Sequence, residues 1–121
     1  MTQEEKQLLL KDLCARLPYN VIVEKDGRKC PVLSITNDGE VEIEIGFRYF
    51  RYYDVQDVRP YLRPMSSMTE EEIDRMWEIY DSGPAAESSV AVAEYLYERN
   101  IDCHHLIEKG LALEAPDGMY K

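Results

Sequence analysis

The side chains best suited to metal binding or nucleophilic catalysis are two adjacent histidines, His104 and His105, which follow Asp102 and Cys103. Imidazole, thiolate and carboxylate groups ligate zinc and act in nucleophilic catalysis. Neighbouring side chains on a helix point about 100° apart, so the two imidazoles cannot both face one metal ion. The chain contains only these 2 histidines. We therefore expect no metal site, no cofactor and no catalytic triad.

Clustered carboxylates are the other groups that could do chemistry, because paired acids serve as general acid and base in hydrolases. The acids at residues 70–72 open a predicted helix, where they complement the helix dipole. Those at alternate positions of residues 40–44 fall on the solvent face of a predicted strand. No glycine-rich phosphate loop or hydrolase motif is present. A small enzyme is the least favoured alternative.

Residues 47–63 mix arginines with aromatic residues, a composition used to stack on and neutralise single-stranded nucleic acid. Aromatic residues and arginine are also enriched in protein-binding surfaces. Alternatively, the aromatics form a core and the arginines pair with nearby glutamates. The candidate interaction surface comprises Arg48, Tyr49, Arg51, Tyr53, Arg59, Tyr61 and Arg63. Clustering of the arginines on one face favours nucleic acid, and dispersal favours a protein partner.

The net charge of −10 disfavours non-specific binding to nucleic acid. Residues 65–121 hold 13 acidic and 4 basic residues and so contribute −9 of it. The chain has no apolar run long enough to cross a bilayer, and its first residues, MTQEEK, carry two glutamates and no apolar region of a secretory signal, so we expect a cytoplasmic protein. Cys14, Cys30 and Cys103 lack disulfide or zinc-knuckle spacing. We expect reduced thiols, with Cys14 on the apolar stripe of the first helix and Cys30 on an apolar strand face.

Capping boxes and turn residues predict the N-terminal half. Thr2 with Glu5 starts a helix over about 3–16, which Pro18 ends. The pair Asp26-Gly27 predicts a hairpin that opposes Val23 and Cys30, and residues 37–39 form the next turn.

A type II′ turn at Gly46-Phe47 is expected to place two pairs inside the sheet, Ile43 with Phe50 and Val41 with Tyr52. The same register places Glu42 opposite Arg51 outside. Pro60 restricts residues 59–63 to an edge strand. These short strands predict a small bent antiparallel sheet resembling an SH3-like barrel.

The C-terminal half is predicted to be helical. Thr69 with Glu72 starts a second helix over about 70–81, and a third begins after Pro84 and ends before a left-handed Asn100. Their apolar stripes are Ile73, Met76, Trp77 and Tyr80, and Val90, Ala93, Leu96 and Tyr97. Asp102 is expected to cap a fourth helix ending at Gly110, and residues 114–121 to be loose.

Three stretches, TQEEKQLLLKDLCARLPY, PYLRPMSSMTEEE and LIEKGLALEAPDGMYK, resemble short uncharacterised proteins of gut Bacteroidales, some in phage-like or mobile-element surroundings. The resemblance implies no known activity, and no residue role is transferred. Where those proteins have Asp-Tyr-Arg-Gly before the last stretch, this chain has Asp102 to His105.

The sequence thus predicts an α+β protein in which residues 1–64 form an N-terminal helix plus the small sheet. Residues 65–121 form an acidic helical segment that packs on the first part as one domain. The favoured function is a non-enzymatic interaction or accessory protein whose partner is another protein, and the resemblance implies an association with a mobile element. A nucleic-acid-binding module using residues 47–63 is the main alternative, and homo-oligomerisation stays open.

Overall fold

The computed structural model describes residues 1–46 and 48–120, which form an α+β fold. The helices are α1 (Gln3–Arg16), α2 (Glu70–Asp81) and α3 (Ala85–Glu98). The strands are β1 (Ile22–Lys25), β2 (Arg28–Ile35), β3 (Glu40–Gly46), β4 (Tyr49–Asp54), β5 (Arg59–Leu62) and β6 (Leu113–Glu114). None of the helices in these ranges has the length and apolar content needed to span a bilayer.

Both predicted capping boxes are confirmed. The Thr2 hydroxyl accepts the Glu5 N–H at 3.1 Å and the Glu5 carboxylate accepts the Thr2 N–H at 2.9 Å, so α1 begins where expected. Thr69 and Glu72 repeat this exchange at α2, which spans the predicted residues. Each box satisfies N–H groups that the first helical turn would otherwise leave unpaired.

The buried face of α1 differs from the predicted stripe at one position. Leu9 and Leu13 are fully buried in the core with the inward valines of the sheet, as the spacing predicts. Cys14 is exposed, however, and the prediction for it was wrong. A second buried face of α1 carries Asp12 and Arg16, because the segment after α3 packs there and accepts a hydrogen bond from Arg16 at the Ile101 carbonyl.

The first hairpin has the predicted register. Val23 opposes Cys30 and Glu24 opposes Lys29, and Cys30 is buried on the apolar face as expected. Asp26 and Gly27 both take positive φ values, 52° and 79°, as a type I′ turn requires.

The predicted register of the β3–β4 hairpin was wrong by one residue. Ile43 opposes Arg51 and Val41 opposes Tyr53, so Phe50 turns to the other face of the sheet. The positive φ belongs to Arg48 at 59° and not to Gly46, and the pairing is irregular between Glu44 and Gly46. The loop therefore closes one residue later than a Gly46-Phe47 turn would close it. Phe47 itself lies outside the described residues.

The sheet is open and does not close into an SH3-like barrel. Its strand order is β4-β3-β2-β1-β5-β6, so the chain leaves β4 at one end and returns beside β1. The predicted edge strand β5 is internal, since Pro60 opposes Val23 of β1 and Tyr61 pairs in parallel with Leu113 of β6. Helix α1 packs on one face of the sheet, where Leu9 and Leu13 share a core with the inward valines.

The predicted left-handed conformation of Asn100, at the end of α3, is confirmed. Asn100 has a φ of 54°, and the Ile101 N–H donates to the Leu96 carbonyl at 2.9 Å. This bond satisfies a carbonyl that the end of α3 would leave unpaired.

The predicted fourth helix is absent from residues 102–111, which form turns instead. The Asp102 carboxylate accepts the N–H groups of Leu106 and Ile107 at 2.8 and 3.0 Å, so a side chain replaces helical backbone bonding there. The predicted return of Leu111 is present, with its N–H on the Leu106 carbonyl at 2.9 Å.

The C-terminal segment is held in place, contrary to prediction. The Tyr120 hydroxyl accepts the Ile22 N–H at 2.9 Å and donates to the Tyr61 carbonyl at 2.8 Å, where β1 and β5 separate. Burial raises the pKa of Tyr120 to about 12, so the hydroxyl remains a donor at neutral pH. Lys121, the last residue of this segment, lies outside the described residues.

Candidate interaction surface

β4 is the terminal strand at one end of the sheet, and its aromatic side chains are half exposed. Tyr49, Phe50 and Tyr52 keep 51%, 48% and 52% of their surface in solvent. An edge strand also presents unpaired backbone N–H and C=O groups along its outer side. β4 therefore combines apolar area with backbone hydrogen-bonding capacity.

A groove of about 360 Å³ runs beside β4 on the face that its one-residue shift produces. Alternate residues of β4 form one wall, the β1–β2 hairpin forms the other, and residues of β2 and β3 complete it. The lining side chains are Tyr49, Arg51, Tyr53, Lys25, Asp26, Arg28, Cys30 and Ile45. Two hairpin tips thus enclose a site with three cations and one anion.

The cations of the groove are positioned against its tyrosines. The Arg51 guanidinium lies 5.2 Å from the Tyr49 ring centre and its Nη2 donates to the Tyr49 hydroxyl at 2.7 Å. That hydrogen bond raises the pKa of Arg51. The Lys25 ammonium lies 4.8 Å from the Tyr53 ring centre. Cation–π contacts restrict these long side chains and so reduce the entropy lost on ligand binding.

The groove is locally basic on an acidic protein. Asp26 is its single carboxylate, and the Asp26 Oδ1 lies 3.7 Å from the Lys25 Nζ. Arg28 donates to the Ile45 carbonyl at 3.4 Å. A net positive groove on a chain of net charge −10 favours an anionic segment locally.

The predicted surface is divided between two places. Tyr49, Arg51 and Tyr53 meet at the groove, and Arg48 is exposed in the adjoining hairpin turn. The other three residues lie on β5 or directly after it: Arg59, Tyr61 and Arg63. Three strands separate β4 from β5, a distance of about 19 Å at ordinary strand spacing.

The arginines near β5 have partners of their own. The Arg59 Nη2 lies 3.5 Å from the Glu24 carboxylate. Arg63 donates through both terminal nitrogens to Glu72, at 2.8 and 2.6 Å, and Arg99 contacts the same carboxylate at 3.4 Å. These interactions join β1 to β5 and anchor α2 next to the sheet. The arginines of residues 47–63 are therefore dispersed.

Lys25 and Arg28 lie beside β4 in the groove, although neither belongs to the predicted interaction surface. Their charges were visible beside the Asp26-Gly27 turn, but the predicted register turned Arg51 away from this face. With Arg51 opposite Ile43, the β1–β2 hairpin tip and β4 line the same groove.

A second polar cluster is buried between α1 and α3. Arg16 Nε donates to Asp12 Oδ1 at 2.6 Å and Arg16 Nη2 donates to the Ile101 carbonyl at 2.8 Å, with both charged side chains fully buried. Tyr97 packs on the guanidinium at 5.1 Å, and its hydroxyl bonds to His104 Nε2 at 2.7 Å.

This cluster brings Asp12, Cys103 and His104 together, with potential ligand atoms within 4.8 Å of one another. Arg16 already occupies the Asp12 carboxylate, so a divalent ion there would lie against a fixed positive charge. Burial raises the pKa of the Cys103 thiol, which keeps it protonated and weakly nucleophilic. The opposite charges of Asp12 and Arg16 therefore compensate each other within α1, under the segment that follows α3.

Comparisons of the chain with protein-family models, curated proteins and solved structures find no match.

Proposed function

We propose that this protein is a non-enzymatic interaction protein that binds an extended, acidic segment of another protein. The segment adds to β4 as a further strand. The observation that carries the proposal is the position of β4, a terminal strand with half-exposed aromatic residues, beside a groove of Lys25, Arg28 and Arg51.

Strand addition uses both properties of β4. The backbone of an incoming strand would pair with the outer edge of β4, as in other complexes formed by β-augmentation. Alternate side chains of that strand would point toward the groove, because side chains alternate between the faces of a sheet. Carboxylates at those positions would meet Arg51 and its neighbouring cations, while apolar residues between them would meet Phe50 and Tyr52 on the other face.

The dispersal of the arginines favours a protein partner over nucleic acid. Single-stranded nucleic acid is bound along a continuous basic groove with several stacking platforms. Here the basic groove ends at the β1–β2 hairpin, and Arg59 and Arg63 pair with Glu24 and Glu72, which do not line the groove.

Fluorescence anisotropy with a short labelled peptide of alternating glutamate and valine tests the proposal. We expect saturable binding with a Kd of about 1–100 µM that weakens as salt is raised. Arg28→Glu with Arg51→Glu should abolish it. Arg75→Glu with Lys109→Glu, the matched control, makes the same change of charge at two exposed residues outside the groove and should leave binding unchanged.

An N-methylated version of the same peptide separates strand addition from simple charge attraction. Methylation of the nitrogens facing β4 removes the donors that pair with the strand and leaves the carboxylates in place. Equal affinity of the two peptides would contradict strand addition. Tighter binding of short oligonucleotides than of the peptide, abolished by the same double substitution, would favour the nucleic-acid alternative.

A further inference from the structure

Helix α2 presents an apolar stripe to solvent. Ile73, Trp77 and Tyr80 are 38%, 53% and 45% exposed, although they recur at the spacing of one helix face. The residues that hold α2 in the fold lie beside this stripe, chiefly Glu72, which binds Arg63, and Ile79, which packs toward α3. The contacts that anchor α2 therefore leave the apolar stripe exposed to solvent.

The aromatic part of the stripe is ordered by an internal contact. The rings of Trp77 and Tyr80 meet edge to face, with centroids 5.7 Å apart and planes at 87°. This geometry is favourable for aromatic pairs and holds both rings at the surface. Exposed tryptophan and tyrosine are the residues that most often dominate binding energy in protein interfaces.

An acidic margin follows the stripe along its whole length. Each of the three apolar residues is followed directly by an acid, at Asp74, Glu78 and Asp81. These positions lie about 100° further round the helix, so the acids form a row parallel to the apolar residues. Arg75 Nη1 pairs with Glu78 Oε2 at 3.1 Å. The row remains net negative.

We propose that the stripe of α2 is a docking site for a basic amphipathic helix of another protein. Apolar residues on one face of that helix would cover Ile73, Trp77 and Tyr80, and lysines or arginines at its edge would meet the acidic margin. A second copy of this chain would bring two acidic margins together, which charge repulsion opposes. Anionic lipid surfaces are opposed for the same reason.

Trp77 reports on this site directly, since it is the only tryptophan in the chain. The probe is a synthetic helical peptide with leucines on one face and lysines elsewhere. We expect a saturable blue shift of the tryptophan emission and reduced quenching by acrylamide. A peptide of the same composition with scrambled order carries the same charge but no apolar face, and should bind at least about tenfold more weakly.

Two sets of variants locate the binding on the protein. Ile73→Ser and the pair Asp74→Lys with Asp81→Lys should each weaken binding about tenfold or more while retaining Trp77. The matched controls are Leu33→Ser, an exposed apolar residue on β2, and Asp38→Lys with Asp117→Lys, which change the same charge elsewhere. The controls should leave the affinity unchanged.

Several results would overturn the proposal. One is equal binding of the ordered and scrambled peptides, which would show attraction by net charge alone. Another is an emission shift that depends on the concentration of the protein itself, with dimers seen by sedimentation, which would assign the stripe to a second copy. Absence of binding by the ordered peptide would also reject it, and a blue shift on anionic vesicles alone would point to a membrane surface.

Discussion

Replacing Arg16 with methionine should destabilise the fold more than any surface substitution. Arg16 is fully buried and compensates the equally buried carboxylate of Asp12 through bonds of 2.6 and 3.2 Å. Its loss would leave an uncompensated charge in the interior and remove the donor to the Ile101 carbonyl. Breaking a buried ion pair in this way costs about 3–5 kcal/mol. That is a large share of the roughly 5–15 kcal/mol by which a domain is stable.

Removing both charges should restore most of that loss. In Asp12→Leu with Arg16→Met, apolar side chains of similar length replace the pair, a change that is often neutral or stabilising. One nitrogen of the native guanidinium, Nη1, is already buried without a hydrogen bond, which lowers the net benefit of the pair. The Ile101 carbonyl still loses a donor, so we expect the double variant to lie within about 2 kcal/mol of the native protein.

Urea unfolding followed by circular dichroism measures these differences for the native chain, both single variants and the double variant. We expect a coupling energy of at least about 2 kcal/mol between the two positions. Additive losses, with the double variant as unstable as the sum of the single variants, would refute the view that the pair acts by mutual charge compensation.

Glu72, the β3–β4 register, Tyr120 and the cluster of Asp12, Cys103 and His104 can each be tested separately. The Arg63 hydrogen bonds lower the pKa of Glu72 from 4.5 to about 2. The ionised Glu72 carboxylate therefore contributes fully to the free energy of unfolding above pH 4.5, and this contribution is lost as the pH falls toward 2. Glu72→Gln should reduce the acid-induced fall in the free energy of unfolding by up to about 3 kcal/mol. In denaturant titrations Phe50→Ala should cost about 1 kcal/mol because Phe50 is half exposed, whereas a loss of about 3–5 kcal/mol, like that of a buried aromatic residue, would restore the predicted register. Tyr120→Phe should cost about 1–3 kcal/mol and speed proteolysis of the C-terminal segment, and unchanged cleavage would contradict its anchoring role. Protein purified without an affinity tag should contain well under one equivalent of zinc by elemental analysis. Stoichiometric zinc that raises the melting temperature, and that is lost on Cys103→Ser, would instead indicate a metal site at Asp12, Cys103 and His104.

Elements specified by local chemistry could be predicted from the sequence. The helix starts at Thr2 and Thr69 depend on residues three apart, and the turn at Asp26-Gly27 depends on two residues that tolerate positive φ. The left-handed Asn100 belongs to the same class. Each of these features is determined by residues at most a few positions apart in the sequence, which is why these predictions were confirmed.

Features that depend on distant segments could not be predicted. The observed β3–β4 register differs from the predicted one because Arg48, and not a glycine, has the positive φ in the turn. No residue pattern indicates a positive φ at an arginine. The position of β5 depends on β6, which lies about 50 residues later and contributes two residues.

The sequence predicted only some residues of the candidate groove, because the others reach it through contacts between distant segments. Tyr49, Arg51 and Tyr53 were identified from composition, whereas Lys25 and Arg28 join them only through the true register. The buried Asp12–Arg16 pair was missed because charged residues on a helix normally face solvent, and only packing by the Ile101 segment reverses that expectation.

The two ends of the sheet differ in a way that limits how copies of the protein can assemble. β6 contributes two residues and is followed closely by Pro116, which lacks an N–H group, whereas β4 offers six residues. Fibrous growth by strand pairing requires two receptive edges on every subunit. With one such edge, two copies that pair through β4 form a closed pair with no receptive edge left. Edge-to-edge pairing of this sheet therefore ends at a dimer and does not continue into a fibre, even at high protein concentration.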